Sequence, residues 1–538
     1  MKRLVLMMAV LLGTAHAAEP VRTYHNPILY ADYSDPDVIR SGDDYWLVAS
    51  SFHFSPGLPV LRSKDLVHWT IAGHVLPRLP FDPAYDMVPP YTLTDSTSKP
   101  VTGQRYARGV WAPSLREHAG KFYVYWATPD EGIFMSTATH PAGPWSAPVA
   151  VIAGPGYEDP CPFWDDDGKA YLVHSKVGAG PLILHAMSAD GTRVLDDGKT
   201  IVEDKANLPT LEGPKVYKRN GYYYIFAPIG GVGHGPQAVL RARRIDGPYE
   251  ARKVLLPGNG IDGPHQGGWV ETPSGQGWFI HFNSTGAFGR IAHLQPVVWK
   301  DDWPEMGQAG LPVIEGPCPD TGRSAPADRL QDSDEFSSPA LGLQWSWNHN
   351  PDDAHWSLAQ RPGYLRLQAN EARYLVGARN VLTQILQGPA SEITTRLELK
   401  GLGERQRAGL VLFGVGVPWV GVVHEDGRDY VTVANGGVET RVGKVDGKAI
   451  ILRAAVAEDQ TVRFSYARDG SDDFQAAGAP VRLAPFSWWK GSRPAVFTWI
   501  KSDADAPREG NDKRPIVRDY VDVDWFRVTT PARPACTR

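Results

Sequence analysis

Asp159-Pro160-Cys161-Pro162-Phe163, running into Gly168-Lys169-Ala170-Tyr171-Leu172-Val173, is one copy of a unit that the chain repeats five times. Each copy sets a polar or aromatic residue at a Pro or Gly turn, then an apolar run, then a glycine leading into an aromatic strand. Upstream stand Asp35-Pro36-Asp37-Val38 with Gly42-Asp43-Asp44-Tyr45-Trp46, and Trp111-Ala112-Pro113-Ser114-Leu115 with Gly120-Lys121-Phe122-Tyr123. Downstream follow Glu212-Gly213-Pro214-Lys215-Val216 with Gly221-Tyr222-Tyr223-Tyr224, and His265-Gln266-Gly267-Gly268-Trp269 with Gly277-Trp278-Phe279-Ile280. Repeats of this size built from short strands mark a propeller of four-stranded blades. The second half of each copy, such as Leu182-Ile183-Leu184-His185, supplies an outer hairpin. The expectation is a five-bladed β-propeller over residues 24–311. The first strand of every blade lines the axis, so Asp35, Trp111, Asp159, Glu212 and His265 should meet at one mouth.

Past the repeats, residues 312–329 turn to Pro, Gly, Asp and Ala, which reads as a linker. Residues 330–538 then show short strands with almost no helical periodicity, among them Glu392–Leu399, Gly409–Phe413, Trp419–Val423 and Tyr520–Val528. That pattern predicts a β-sandwich, making the whole chain all-β. Residues 77–107 break the rhythm with a Pro-, Thr- and Asp-rich stretch just before Trp111. A loop of that length in a compact fold is usually functional, and this one should border the mouth.

With 538 residues the chain exceeds one ordinary core. Its net charge of −5 and the lack of any basic run argue against a nucleic-acid partner. The start, Met1-Lys2-Arg3, an apolar run from Leu4 to Leu12, then Ala15-His16-Ala17, has the form of a signal peptide over residues 1–17. The apolar run is too short to span a bilayer, so a secreted or periplasmic product with no membrane partner is expected. Three cysteines suit an oxidising compartment, and Cys318 and Cys536 form the expected bridge. Cys161 reads as a packed thiol. Nothing in the sequence speaks to oligomeric state.

Splitting an acetal bond takes a proton for the departing oxygen and a base for the incoming water, and two carboxyl groups supply both. Asp35 and Glu212, one short and one long, occupy equivalent places in different blades and suit the base and the acid. A third carboxylate, Asp159, would orient the acid and raise its pKa by like-charge repulsion. Trp111 reads as a pocket wall, His265 as a buried histidine or a ligand of water or metal, and Arg290 as a hydroxyl-binding counter-charge or a solvated strand residue. A single Asp-Pro or Glu-Gly-Pro would be only a turn. Three carboxylates at homologous blade positions are a site.

Several motifs in order resemble the β-xylosidases and α-L-arabinofuranosidases of glycoside hydrolase family 43. They are Asn26-Pro27-Ile28-Leu29 to Asp35-Pro36-Asp37, Ser50-Ser51-Phe52, Ser63-Lys64-Asp65-Leu66-Val67-His68-Trp69, Gly109-Val110-Trp111-Ala112-Pro113-Ser114, Leu211-Glu212-Gly213-Pro214 and Leu294-Gln295-Pro296-Val297. The resemblance implies Asp35 as general base, Glu212 as general acid and Asp159 as the residue that tunes and orients it, with inversion at the anomeric carbon. It implies Trp111, Phe52 and Arg290 as the sugar pocket, no required cofactor, and His265 beside a hub calcium ion or water. It also implies a concanavalin-like sandwich leaning over the pocket and a xylo-oligosaccharide or arabinose-containing substrate. Residues 77–107 and Gly230-Gly231-Val232-Gly233-His234 depart from the family pattern and should border the pocket. The alternative from another class is a sugar-binding propeller without catalysis, which would need the aromatics but no matched acid and base.

Overall fold

In the computed structural model the described residues are 22–87, 105–322, 329–484, 489–502, 519–531 and 536. The signal-like segment 1–17 and residues 88–104 of the long loop lie outside them. Short polar turns between alternating apolar positions leave the chain no use for helix, and four brief 3₁₀ turns are the only helical segments described. No described helix is long and apolar enough to cross a membrane.

Four antiparallel sheets of four strands follow one another as meanders, starting at Asp37–Ser41, Ser114–His118, Tyr157–Trp164 and Lys215–Arg219. The fifth sheet starts at His265–Glu271. Its outer edge is shared: Leu29–Asp32, from the beginning of the chain, pairs with one end of Arg290–Lys300, and Trp303–Met306 pairs with the other. The first turn of the chain thus closes the ring of five blades. The starting strands lie innermost, where each packs against its neighbour around the axis.

Separate apolar clusters fill the seams between blades. Trp46 and Val60 meet Leu115 and Trp126 between the first and second blades, and Tyr125 meets Leu172 between the second and third. Cys161 and Val173 meet Val216 and Ile225 between the third and fourth. Phe226 meets Phe279, and Val38 and Leu47 meet Ile280 and Leu294, in the remaining two. Burying such side chains is worth about 1.5–3 kcal/mol each, so every seam holds its two blades by several of them. Cys161 sits in its seam as a packed, fully buried thiol whose sulfur accepts hydrogen bonds from Arg116 and the Val216 N–H.

The remaining strands form two stacked sheets with one continuous core, among it Leu365, Ile393, Leu410, Val422, Leu452 and Phe526. The sandwich is not a free-standing body. One of its sheets ends on Phe54–Ser55, a two-residue strand lent by the propeller to Ser346–Asn348. At the far end of the propeller, Glu315–Pro317 pairs with Thr23–His25, and Cys318 is bonded to Cys536.

Candidate active site

The mouth of the hub opens into a cavity of about 370 Å³, within the range of about 300–1,000 Å³ usual for small-molecule sites. Asp35, Trp111, Asp159 and Glu212 line it, joined by Phe52 and Arg290. His265 does not: it lies fully buried behind the wall, with Nε2 hydrogen-bonded to Glu212 Oε1 at 2.9 Å. The sequence placed the imidazole in the basin with the carboxylates. The structure makes it a support for one of them, because His265 opens its strand on the side facing Phe282 and not the cavity. Of the stretch that departs from the family pattern, Gly231 and Val232 reach the cavity, while His234 is exposed and takes no part.

Asp35 is buried and held from two sides. Oδ1 accepts from Arg290 at 2.7 Å and Oδ2 accepts from the Ser50 hydroxyl at 2.5 Å. Arg290 is in turn fixed by its backbone N–H on Asp32, and its guanidinium lies 4.9 Å from the Phe282 ring. It is thus a bound counter-charge and not a solvated strand residue. Backbone strain marks the same residues: Asp35, Phe52, Asp159 and Gln266 all take positive φ, between 44° and 57°. Left-handed backbone outside glycine is uncommon and gathers where a structure must aim side chains at a site. Two backbone hydrogen bonds between Phe52 and Val110 lock the Phe52 turn to the segment carrying Trp111.

Glu212 stands opposite, before the fourth blade's inner strand. Asp159 Oδ2 accepts from the N–H of Gly213, at 2.7 Å, so it positions Glu212 through the neighbouring backbone. Glu158 also lines the cavity, and one carboxylate oxygen from each of Glu158, Asp159 and Glu212 lies within 4.8 Å of the others. So many acids cannot all carry charge in a buried space. Burial and then Glu212 push Glu158 up to about 7. Burial, then Glu158, Glu212 and Asp35, hold Asp159 well above the usual carboxylate range, against the pull of Lys215. The like-charge repulsion expected to act from Asp159 thus falls on Asp159 itself. Lys215 is buried below, its ammonium donating to Pro113 O and Ser114 Oγ.

Two contributors had no sequence signal. Glu158 follows the strand rule that adjacent side chains face opposite ways, which should turn it away from Asp159. A register shift between Glu158 and Cys161 breaks the alternation and brings both side chains to one cavity. Trp489 lines the cavity from the sandwich, its ring 6.5 Å from that of Trp111. Beside it, Lys490 is buried against the propeller. As for metal, the three clustered carboxylates are the described residues grouped closely enough to share a cation, and His265 is outside that group.

A carboxyl-lined pocket at the hub of a five-bladed propeller, with a sandwich at its lip, defines a glycoside hydrolase. Residues 24–304 match the description "Glycosyl hydrolases family 43" and residues 333–500 match "Beta xylosidase C-terminal Concanavalin A-like domain". The chain belongs to glycoside hydrolase family 43. A Xylanibacter ruminicola protein, provisionally named a beta-xylosidase, is 43% identical over 88% of this chain and 86% of its own length. A non-reducing end α-L-arabinofuranosidase of Bacteroides ovatus is 31% identical over 77% of this chain and 78% of its own. The crystal structure of a xylan β-1,4-xylosidase from Bacillus halodurans C-125 superposes with a TM-score of 0.78 at 25% identity, covering 94% of this chain and all of that one.

Proposed function

We propose that this enzyme is exported and removes single β-D-xylosyl residues from the ends of xylo-oligosaccharides, with inversion at the anomeric carbon. The observation that carries the reading is the gathering of Asp35, Asp159 and Glu212 around one cavity, with the short carboxylate anchored by Arg290 and Ser50 and the longer one by His265.

Asp35 is the general base. Its carboxylate, aimed by Arg290, takes a proton from water as the water oxygen bonds to the anomeric carbon. Glu212 is the general acid and gives its proton to the glycosidic oxygen as that bond breaks. Asp159 keeps Glu212 in place through Gly213. Trp111, Phe52 and Trp489 hold the apolar edges of the sugar, and Arg290 also reaches its hydroxyls. Trp489, which the sandwich adds to the cavity wall beside Trp111, supports action at chain ends. The signal-like residues 1–17 and the Cys318–Cys536 bridge support export to the medium or periplasm. No cofactor enters the reaction. His265 Nδ1 is buried and has no hydrogen-bond partner among the described residues, which suits a hub water or a structural calcium ion with a water between. Such a group would steady the imidazole behind Glu212.

The second reading, an α-L-arabinofuranosidase acting on arabinose side groups, is favoured by the likeness to the Bacteroides ovatus enzyme. Release of nitrophenol from the β-xyloside and the α-arabinofuranoside separates the two. Asp35→Ala should lower kcat on the preferred nitrophenyl glycoside, and Glu212→Ala should lower kcat on the corresponding disaccharide, whose leaving group needs the acid, each on the order of 10² to 10⁴-fold. Proton NMR of the first-formed sugar should show the inverted anomer. Retention, or unchanged turnover in either variant, would remove the mechanism.

A further inference from the structure

Glu158 is not required by a two-carboxyl mechanism, yet the fold spends a bulge to bring it in. It is 4% exposed and lies on Tyr157–Trp164. Oε1 is engaged, accepting from the Ala179 N–H at 2.8 Å and from the Ser175 hydroxyl at 3.4 Å. The Gly178 N–H also supports the carboxylate, and the side chain forms part of the cavity wall beside Glu212. A carboxyl group on a cavity wall loses its water when a ligand fills the cavity, and that loss is costly unless the ligand offers it a hydrogen bond. The wall that Glu158 shares holds Glu212 and the turn around Ala179, and comes from the third and fourth blades. Asp35 and Arg290, which attend the attacked face, come from the first and fifth.

We infer that Glu158 is a specificity-determining residue for the departing sugar: its Oε2 hydrogen-bonds a hydroxyl of the saccharide that Glu212 protonates. The inference rests on the proposed roles of Asp35 and Glu212. Burial and then Glu212 raise the carboxyl to about 7, so near neutral pH both the protonated form, which can donate, and the ionised form, which accepts, are open to a sugar hydroxyl.

The test compares three substrates of the intact enzyme. Nitrophenyl β-xyloside needs neither acid assistance nor leaving-group hydroxyls, methyl β-xyloside needs the acid but has no such hydroxyl, and xylobiose needs both. Glu158→Leu should lower kcat/KM on xylobiose roughly tenfold or more beyond whatever loss it causes on the two simple xylosides. Glu158→Gln keeps an oxygen for Ala179 and should show a milder loss that again falls chiefly on xylobiose. Equal loss on xylobiose and methyl xyloside with nitrophenyl xyloside spared would show that Glu158 acts through Glu212, and equal loss on all three would show a structural role. Either overturns the inference, as does unchanged activity. If wild type cleaves only arabinofuranosides, the corresponding nitrophenyl, methyl and disaccharide substrates give the same comparison. If wild type cleaves none, the functional reading itself has failed.

Discussion

Lys490 shows how much of the site is held from outside the propeller. Its ammonium is buried where the sandwich meets the first blade and donates to Asp32 O at 3.2 Å, Ser34 Oγ at 3.3 Å and Ser50 O at 3.0 Å. Ser34 precedes Asp35, and the Ser50 hydroxyl bonds it, so one cation ties both segments that hold Asp35. Burial drives Lys490 down to about 8, helped by Arg493 and Arg290 and resisted by Asp32 and Asp35. An unfolded lysine keeps its proton to about 10.4. Between these values the unfolded chain binds more protons, so folding stability should rise with pH across that window. Lys490→Met should abolish that rise, lower stability at pH 7 by about 1–3 kcal/mol through its stranded acceptors, and reduce kcat several-fold. Thermal melts at pH 7, 8.5 and 10 with parallel rate profiles check this. A variant matching wild type in rate would deny Lys490 any part in placing Asp35. Nothing in the sequence marks this residue: its partner Asp32 is 458 positions away.

Among the elements, the inner strands were the most legible because each repeats a turn, an apolar run and a glycine before an aromatic strand. The outer strands were the least. Val149–Ala153, Lys199–Val202 and Glu250–Leu255 are largely exposed, so no alternation of apolar and polar side chains announces them. Leu29–Asp32 was hidden for another reason, since its sheet partner is Arg290–Lys300 at the other end of the repeats. Ring closure there brings the first and last inner strands very close. A Cβ on Gly268 would stand 2.6 Å from Asp37 Oδ1 and 2.7 Å from Val38 N. Gly268→Ala should therefore cost about 3 kcal/mol or more, against about 1 kcal/mol for Gly275→Ala, whose positive φ is strained but whose surroundings are open. Denaturant titration of the two variants checks the contrast. Similar losses would mean that closure tolerates separation of the strands. The meeting of Asp35, Asp159 and Glu212 at one cavity was readable from their homologous blade positions. Glu158 was not, because a bulge overrides the alternation that sequence reading assumes.

Across the whole molecule, one covalent bond secures three remote parts of the chain. The Cys318 N–H donates to Arg22 O and the Cys536 N–H to Thr23 O, so the Cys318–Cys536 bridge gathers the start of the fold, the exit from the propeller and the tail. It closes a loop of 218 residues, for which chain entropy gives a stabilisation of up to roughly 5 kcal/mol. Cys318→Ala with Cys536→Ala should lower the melting temperature by several degrees while sparing kcat at 25 °C, since neither cysteine lines the cavity. A fall in kcat with unchanged melting would contradict this account. The bridge and the sandwich strands were legible because their signals are local to each segment. The seam between the two bodies was not, because it joins segments distant in sequence.

The two-residue strand Phe54–Ser55, lent to the neighbouring sheet just beyond Phe52, makes the bodies poor candidates for modular exchange. Swapping in a relative's sandwich at residues 312–329 would leave that edge unmatched and replace Trp489 and Lys490 together. A chimaera would then inherit a misaligned sugar wall even with every propeller residue intact, so retargeting this hydrolase calls for redesign on both sides of the joint at once.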